Sequence, residues 1–322
     1  MQARTETDNW QTLLKADPLP WLLEPDNPPA RHGALTDLLD RPASAPEVRE
    51  ARAAIPTYPP VAELLAAQER DGYWIKPDYY LPRGRGTFWT LSLLADLGLT
   101  RENAHVRQGC EFMFTFQREH GAFCRRRRIP GQGLVWGDLP EFCTHARIVR
   151  FLIQFGYGDD PRTQAGLDWL LANPREDGMW FCRPAGRYGC LRATLDVLRV
   201  AVLSQETAHH PAIARAAAVV CGLLMAPRMS RYHVKHPWTT LEYPHFDYSL
   251  ISALDALARL GYTAGQPQVA AALEYLLSRQ LPDGAWPLDV ITYGSPMDVG
   301  QLDEPNKWLT LDALRAIKLL YS

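Results

Sequence analysis

QERDGYW, residues 68–74, closes the apolar run VAELLAAQ with an Asp-Gly turn and two aromatics. Asp-Gly is an ordinary turn signal, but an exposed turn has no use for two large rings. The pattern returns as QREHGAF (117–123), PREDGMW (174–180) and QLPDGAW (280–286). Aligned on Gly72, Gly121, Gly178 and Gly284, every copy carries an aromatic two residues on: Trp74, Phe123, Trp180 and Trp286. Gln stands four residues before the glycine in three copies, and Pro174 replaces it in the third. The steps are 49, 57 and 106 residues, the last equal to two units of 53. A degenerate copy is therefore expected between Gly178 and Gly284, and a period near 50 predicts a repeat architecture.

Each copy opens with an amphipathic run: VAELLAAQ, VRQGCEFMFTFQ, QAGLDWLLANP or QVAAALEYLLSRQ. Their apolar spacing is that of a helix with one buried stripe. The glycine turn ends the helix, its Gln can tie the turn backbone, and the aromatic packs back as an anchor between repeats. A second helix follows: GTFWTLSLLADLGL (86–99), FCTHARIVRFLIQFGY (142–157), GCLRATLDVLRVAVLS (189–204), FDYSLISALDALARLGY (246–262) and KWLTLDALRAIKLLY (307–321). These are apolar on most sides and form the buried layer, whereas the more charged first helices form the outer one. The degenerate copy pairs HPAIARAAAVVCGLLM (210–225) with the helix from 246, and residues 226–245 replace its turn. The prediction is an all-α protein, an array of about five outer/inner hairpins over residues 58–322. Residues 1–57, broken by prolines, form an N-terminal helical cap over one end.

With 322 residues, 47% hydrophobic, the chain can bury a large core. A net charge of −2 gives no pull toward nucleic acid. No stretch reads as a signal peptide or a membrane span, so no integral membrane contact and a cytoplasmic location are expected. Six cysteines then stand as thiols or metal ligands rather than a disulfide framework.

Paired helices joined by Q-x-x-x-G-x-W turns resemble the repeats of the terpenoid cyclase and protein prenyltransferase superfamily, the squalene cyclase repeat or QW motif. The residues that carry this are Gln68…Gly72-Tyr73-Trp74, Gln117…Gly121-Ala122-Phe123 and Gln280…Gly284-Ala285-Trp286. The resemblance implies a central cavity for a small apolar or isoprenoid-like ligand. It names no single reaction, because the superfamily holds cyclases, transferases and non-enzymes. The alkene-protonating D-x-D-D and the diphosphate-ionising D-D-x-x-D are both absent, and Asp159-Asp160 sits in a solvated turn. The prenyltransferase zinc site places D-x-C at one inner-helix start and His at a later one. Glu141-Phe142-Cys143 stands at such a start, with Glu for Asp; Cys190 opens the next inner helix, and His245 the one after. The resemblance thus implies an α/α toroid with zinc on Cys143 and His245, joined in this chain by Cys190, a thiol outside the family pattern; the alternative is two buried thiols and a loop histidine. The family's transferases also need a partner subunit, for which this sequence carries no mark.

In a closed toroid the inner-helix starts ring one mouth. Asp247, Tyr248 and Lys307 are its catalytic candidates, and Trp89, Glu141, His145 and Trp308 its ligand-lining ones. Arg125 to Arg128 either bind a diphosphate or carboxylate or form a solvated loop face. His233 and His236 lie in a long loop that can fold over the mouth. Cys124 and Cys182 follow turn aromatics and read as packing residues, and Cys110 and Cys221 as core. Two functions follow: a prenyltransferase- or cyclase-like enzyme, zinc-dependent in one form, or a non-catalytic binding or scaffold module.

Overall fold

A computed structural model of the chain describes residues 10–131, 133–137, 140–182, 188–227 and 238–321, without the side chains of residues 127–129 and 134. His233 and His236 lie outside the described residues. Short helices α1 (Leu19–Leu22), α2 (Pro28–Gly33) and α3 (Pro46–Ala54) come first. Outer helix α4 (Pro59–Ala66) then leads to inner helix α5 (Thr87–Asp96), α6 (Ala104–Phe114) to α7 (Phe142–Leu152), and α8 (Pro161–Leu171) to α9 (Leu191–Ala201). After the single turn α10 (Gln205–Ala208), α11 (Pro211–Leu223) leads to α12 (Leu250–Arg259) and α13 (Pro267–Ser278) to α14 (Lys307–Leu320). The inner helices pack side by side in chain order, α5, α7, α9, α12 and α14. The fold is all-α, an α/α toroid. Residues 87–95 of α5 and all of α7 are buried, as their apolar sequences require.

The turns act as seams. The backbone N–H of each turn aromatic donates to an inner-helix side chain: Trp74 to Thr87 (3.0 Å), Trp180 to Thr194 (3.1 Å) and Trp286 to Thr310 (2.9 Å). The three indole N–H groups donate back to the outer helix, to the carbonyls of Leu64, Leu170 and Leu276. Buried rings with satisfied polar ends fix the angle of each hairpin. The Gln amide then joins two repeats. Gln68 donates to Gly72 and to His105 of the next outer helix, and Gln117 to Gly121 and to Arg162 of the next. Gly121 has φ +93°, and an added Cβ would lie 2.2 Å from the Ala165 carbonyl on the adjoining outer helix. The glycine is needed for the turn and for close approach alike. Pro174 makes no such tie, and that seam faces the degenerate repeat.

In that repeat, residues 238–249 run into the barrel instead of turning back under it. Strand β3 (Glu242–Tyr243) pairs in parallel with β4 (Val290–Ile291) of the last repeat. Phe246 fills the axis against Trp89, with ring centroids 4.9 Å apart. Its carbonyl accepts from Arg147 Nη1 at 3.2 Å, while Arg147 grips Asp196 through Nη2 at 2.8 and 3.0 Å. Arg147 is fully buried, a charge pair that the apolar pattern of α7 concealed.

The last seam closes on the N-terminal segment. Gln280 donates to the Ala16 carbonyl and accepts from Lys15 N–H at 2.6 Å, where another repeat would offer an outer helix. Helix α2 packs on α14, and Trp10, Leu22, Ala34 and Ile55 join the main core. Residues 10–57, expected as a cap over one end, therefore also form part of the wall that closes the ring.

His145 stands in the second repeat where the others have threonine. Its Nδ1 accepts from Phe123 N–H at 3.2 Å, and its Nε2 donates to the Gly166 carbonyl at 2.9 Å. It was expected to line the ligand site; it is instead a buried structural residue. Burial holds its pKa at about 4, against 6.5 for the free side chain. Between those values the unfolded chain takes up a proton and the folded one does not. Stability present above pH 6.5 is thus lost as pH falls, by about 3 kcal/mol. His145→Thr keeps an acceptor and removes that proton, so urea unfolding at about pH 7 and about pH 4.5 should show a weaker acid loss than wild type. Gly121→Ala should cost roughly 2 kcal/mol or more in the same assay, through strain and steric overlap.

Candidate functional site

The inner-helix starts converge on one mouth, and the sequence places polar groups there on otherwise apolar helices. Cys143 lies in the first turn of α7, and Cys190 is the N-cap residue of α9. Cys182, expected only to pack, stands between them, with its thiol in hydrogen-bonding contact with both. That contact, followed by burial, holds the Cys143 thiol well above the ordinary range, so it stays protonated. One residue into α9 from Leu191 comes Arg192, which is 8% exposed. Among the described residues, its buried Nε and Nη2 have no hydrogen-bond partner. Asp196, one turn further on, is already spent on Arg147.

Across from Arg192, the Tyr293 hydroxyl donates to Asp247 Oδ2 at 2.6 Å. Tyr293 has φ +58°, a left-handed conformation that a tyrosine rarely adopts. Its carbonyl packs on Gly84, where an added Cβ would lie 2.1 Å away, and the Arg83 guanidinium covers its ring at 3.6 Å. Burial pushes the Tyr293 phenol up; Arg192 pulls against this, and Asp247 adds to it. Behind Asp247 lies Glu242, 3% exposed, with Oε1 unpartnered. Burial first, then the Asp247 charge, push its carboxyl up to about 8, so it is largely neutral near pH 7. A guanidinium with two unpartnered nitrogens, a phenol bonded to a carboxylate and a largely neutral carboxyl thus share one buried site. Perturbed groups in such company mark functional sites.

Of the expected residues, Asp247 and Cys143 with Cys190 belong to this mouth. Trp89 forms its floor, with its indole donating to the Tyr80 carbonyl at 2.8 Å and its ring 5.6 Å from Tyr293. Glu141 caps α7 beside Tyr80. Tyr248 is a buried packing residue, edge-on to Trp238 at 5.2 Å. Lys307 is held by Glu24 at 2.8 Å and Asp26 at 2.6 Å, so it anchors the N-terminal segment. Trp308 stacks on Tyr243 at 5.5 Å. His245 turns the other way, with Nε2 3.2 Å from Asp312 and Nδ1 3.0 Å from Ser249 Oγ. Arg125 and Arg126 flank and enter a hairpin rather than a loop, β1 (Arg126–Ile129) with β2 (Gly133–Trp136); Arg126 lies over the Trp136 ring at 4.5 Å.

Cys143, Cys190 and His245 do not form a three-ligand group in this arrangement. Among the described residues no group of three or more His, Cys, Asp or Glu can hold a metal ion. His245 is bonded to Asp312 and Ser249. The missed residues were Arg192, Tyr293, Glu242, Arg83 and Cys182. Arg192 carried a signal, an arginine in the first turn of a helix read as buried.

No family model matches the chain, and no curated protein does. Among solved structures, a protein from Actinoplanes is 20% identical, with 92% of this chain and 90% of that one covered and a TM-score of 0.46. A polysaccharide lyase is 13% identical, with coverages of 92% and 89% and a TM-score of 0.49. The type II terpene cyclase MstE from Scytonema is 16% identical, with coverages of 84% and 96% and a TM-score of 0.29. At these values the likenesses say nothing of substrate or reaction. Among the described residues no helix is long and apolar enough to cross a membrane.

Protein purified without a metal-affinity tag should contain no stoichiometric zinc by elemental analysis. About one zinc per chain, lost in a Cys143→Ser, Cys190→Ser double variant, would mean that the thiols rearrange around a metal.

Proposed function

We propose that the protein is an enzyme whose mouth binds a small organic anion, a carboxylate or phosphate compound, and moves a proton on it. The observation that carries this is Arg192, a buried guanidinium with two unpartnered nitrogens, set beside the Tyr293–Asp247 pair. A guanidinium in a water-poor site calls for an oxyanion and can grip it through two parallel hydrogen bonds. Tyr293 and Asp247 form a relay. As the Tyr293 oxygen takes a proton from the ligand, the phenol's own proton passes to the Asp247 carboxylate. The reverse sequence delivers one. Glu242, largely neutral, stands beside the pair.

Isoprenoid acids and diphosphates fall within this ligand class, with the anion on Arg192 and hydrocarbon against Trp89 and Tyr80. Because Phe246 and the Arg147–Asp196 pair fill the barrel axis, such a chain would lie across the mouth rather than down the barrel. A binding or scaffold module would use the same Arg192 contact without the relay.

Two variants separate these. With a panel of small carboxylates, phosphates and isoprenoid acids, Arg192→Gln should weaken binding about tenfold or more in calorimetry. Tyr293→Phe should leave binding nearly intact and slow turnover roughly 10²- to 10⁴-fold. A ligand that Arg192 holds but that is never turned over would leave the binding module standing.

A further inference from the structure

The far end of the barrel, where the inner helices finish, holds a cleft of about 360 Å³. Its wall is charged, with Asp37, Asp96, Asp255 and Asp312 set among Arg150, Arg199, Arg259 and Arg315. Asp96 holds Arg150 at 2.8 Å, and Asp255 holds Arg259 at 3.1 Å. Arg315 joins Asp312 and Asp37, each at 2.6 Å, and Asp312 also takes His245. Arg199, in the last turn of α9, makes no ion pair among the described residues, and the opposite charges that act on it are Asp96 and Asp196. Its one hydrogen bond is long, from Nη1 to the His245 carbonyl at 3.5 Å. Burial, then the neighbouring charge of Arg150, lower its pKa to about 10, against the pull of Asp96 and Asp196. Two more groups on the same wall are buried without partners, Arg150 Nε and the Gln154 carbonyl oxygen.

We propose that this cleft is a second ligand site, taking a small polar oxyanion with Arg199 as its anion-binding residue. The ligand carries a carboxylate or phosphate for Arg199 and a hydroxyl or amine that donates to Gln154. The cleft volume falls at the small end of the range for small-molecule sites, roughly 300–1,000 Å³. It is separate from the mouth. Arg199 lies seven residues beyond Arg192 on α9, about 10 Å along the helix axis. The competing role for Arg199 is to complement the negative end of α9, which would make it stabilising without any ligand.

The test is calorimetry with inorganic phosphate and with malate, a hydroxy-dicarboxylate, on wild type, Arg199→Gln and Arg192→Gln, with melting temperatures measured ligand-free. The expected result is that at least one probe binds wild type and Arg192→Gln alike, and binds Arg199→Gln about tenfold more weakly or worse. Ligand-free Arg199→Gln should melt close to wild type, because Arg199 is only half-buried and makes no ion pair among the described residues. Binding that survives in Arg199→Gln but fails in Arg192→Gln would assign the anion to the mouth and overturn this proposal while supporting the earlier one. Absence of binding by both probes to folded wild type at millimolar concentration would overturn it. So would a lower ligand-free melting temperature of Arg199→Gln, which would mark a structural role.

Discussion

One hydrogen bond organises this molecule: the turn aromatic's backbone N–H donating to a side chain on its own inner helix. It sets the distance between a turn and the helix that follows many residues later. Once it is made, the ring of the turn residue lies under the hairpin and the glycine lies against the next outer helix. The Gln amide can then reach the adjoining repeat. Threonine suits the position because its hydroxyl can accept while its methyl packs. Histidine serves in the second repeat only as a neutral ring, with both nitrogens used. The toroid is the sum of these short links, and its curvature follows from repeating one angle.

The fold was legible because those links are written locally. A glycine with an aromatic two residues on and a glutamine four before needs no knowledge of the rest of the chain. The degenerate copy could be located by spacing alone, and α11 and α12 lie where the arithmetic put them. The site was less legible, and the reason is physical. Position at an inner-helix start says which residues approach the mouth, not which way they face. Lys307 has the right position, yet two carboxylates from the N-terminal segment claim it. His245 has the right position too, but Asp312 and Ser249 draw it toward the other end. Tyr293 lies on a loop after β4, and only its left-handed backbone and its bond to Asp247 distinguish it. Neither leaves a pattern in sequence.

The interior separates into three levels. At the mouth stand thiols, Arg192 and the Tyr293–Asp247 pair. Across the middle, Arg147, Asp196 and the Phe246 carbonyl lock α7, α9 and the inserted segment together, a buried charge pair whose geometry compensates its desolvation. At the far end lies the charged cleft. The segment 238–249 touches all three levels: Asp247 at the mouth, Phe246 in the middle and His245 below. The repeat that lost its glycine turn is thus the one that supplies the barrel with its contents.

The seam between Gln280 and the Ala16–Lys15 backbone has a bearing on how the chain reaches this shape. The earlier seams join neighbours in sequence and can form one after another as the chain grows. The final one joins residues separated by about 265 positions, so its closure must await the last repeat. Until then the first and last hairpins each present a bare apolar flank. Assembly is a growing arc followed by a single latch, and Lys15, which also binds the carbonyls of Ser278 and Gln280, is the tongue of that latch.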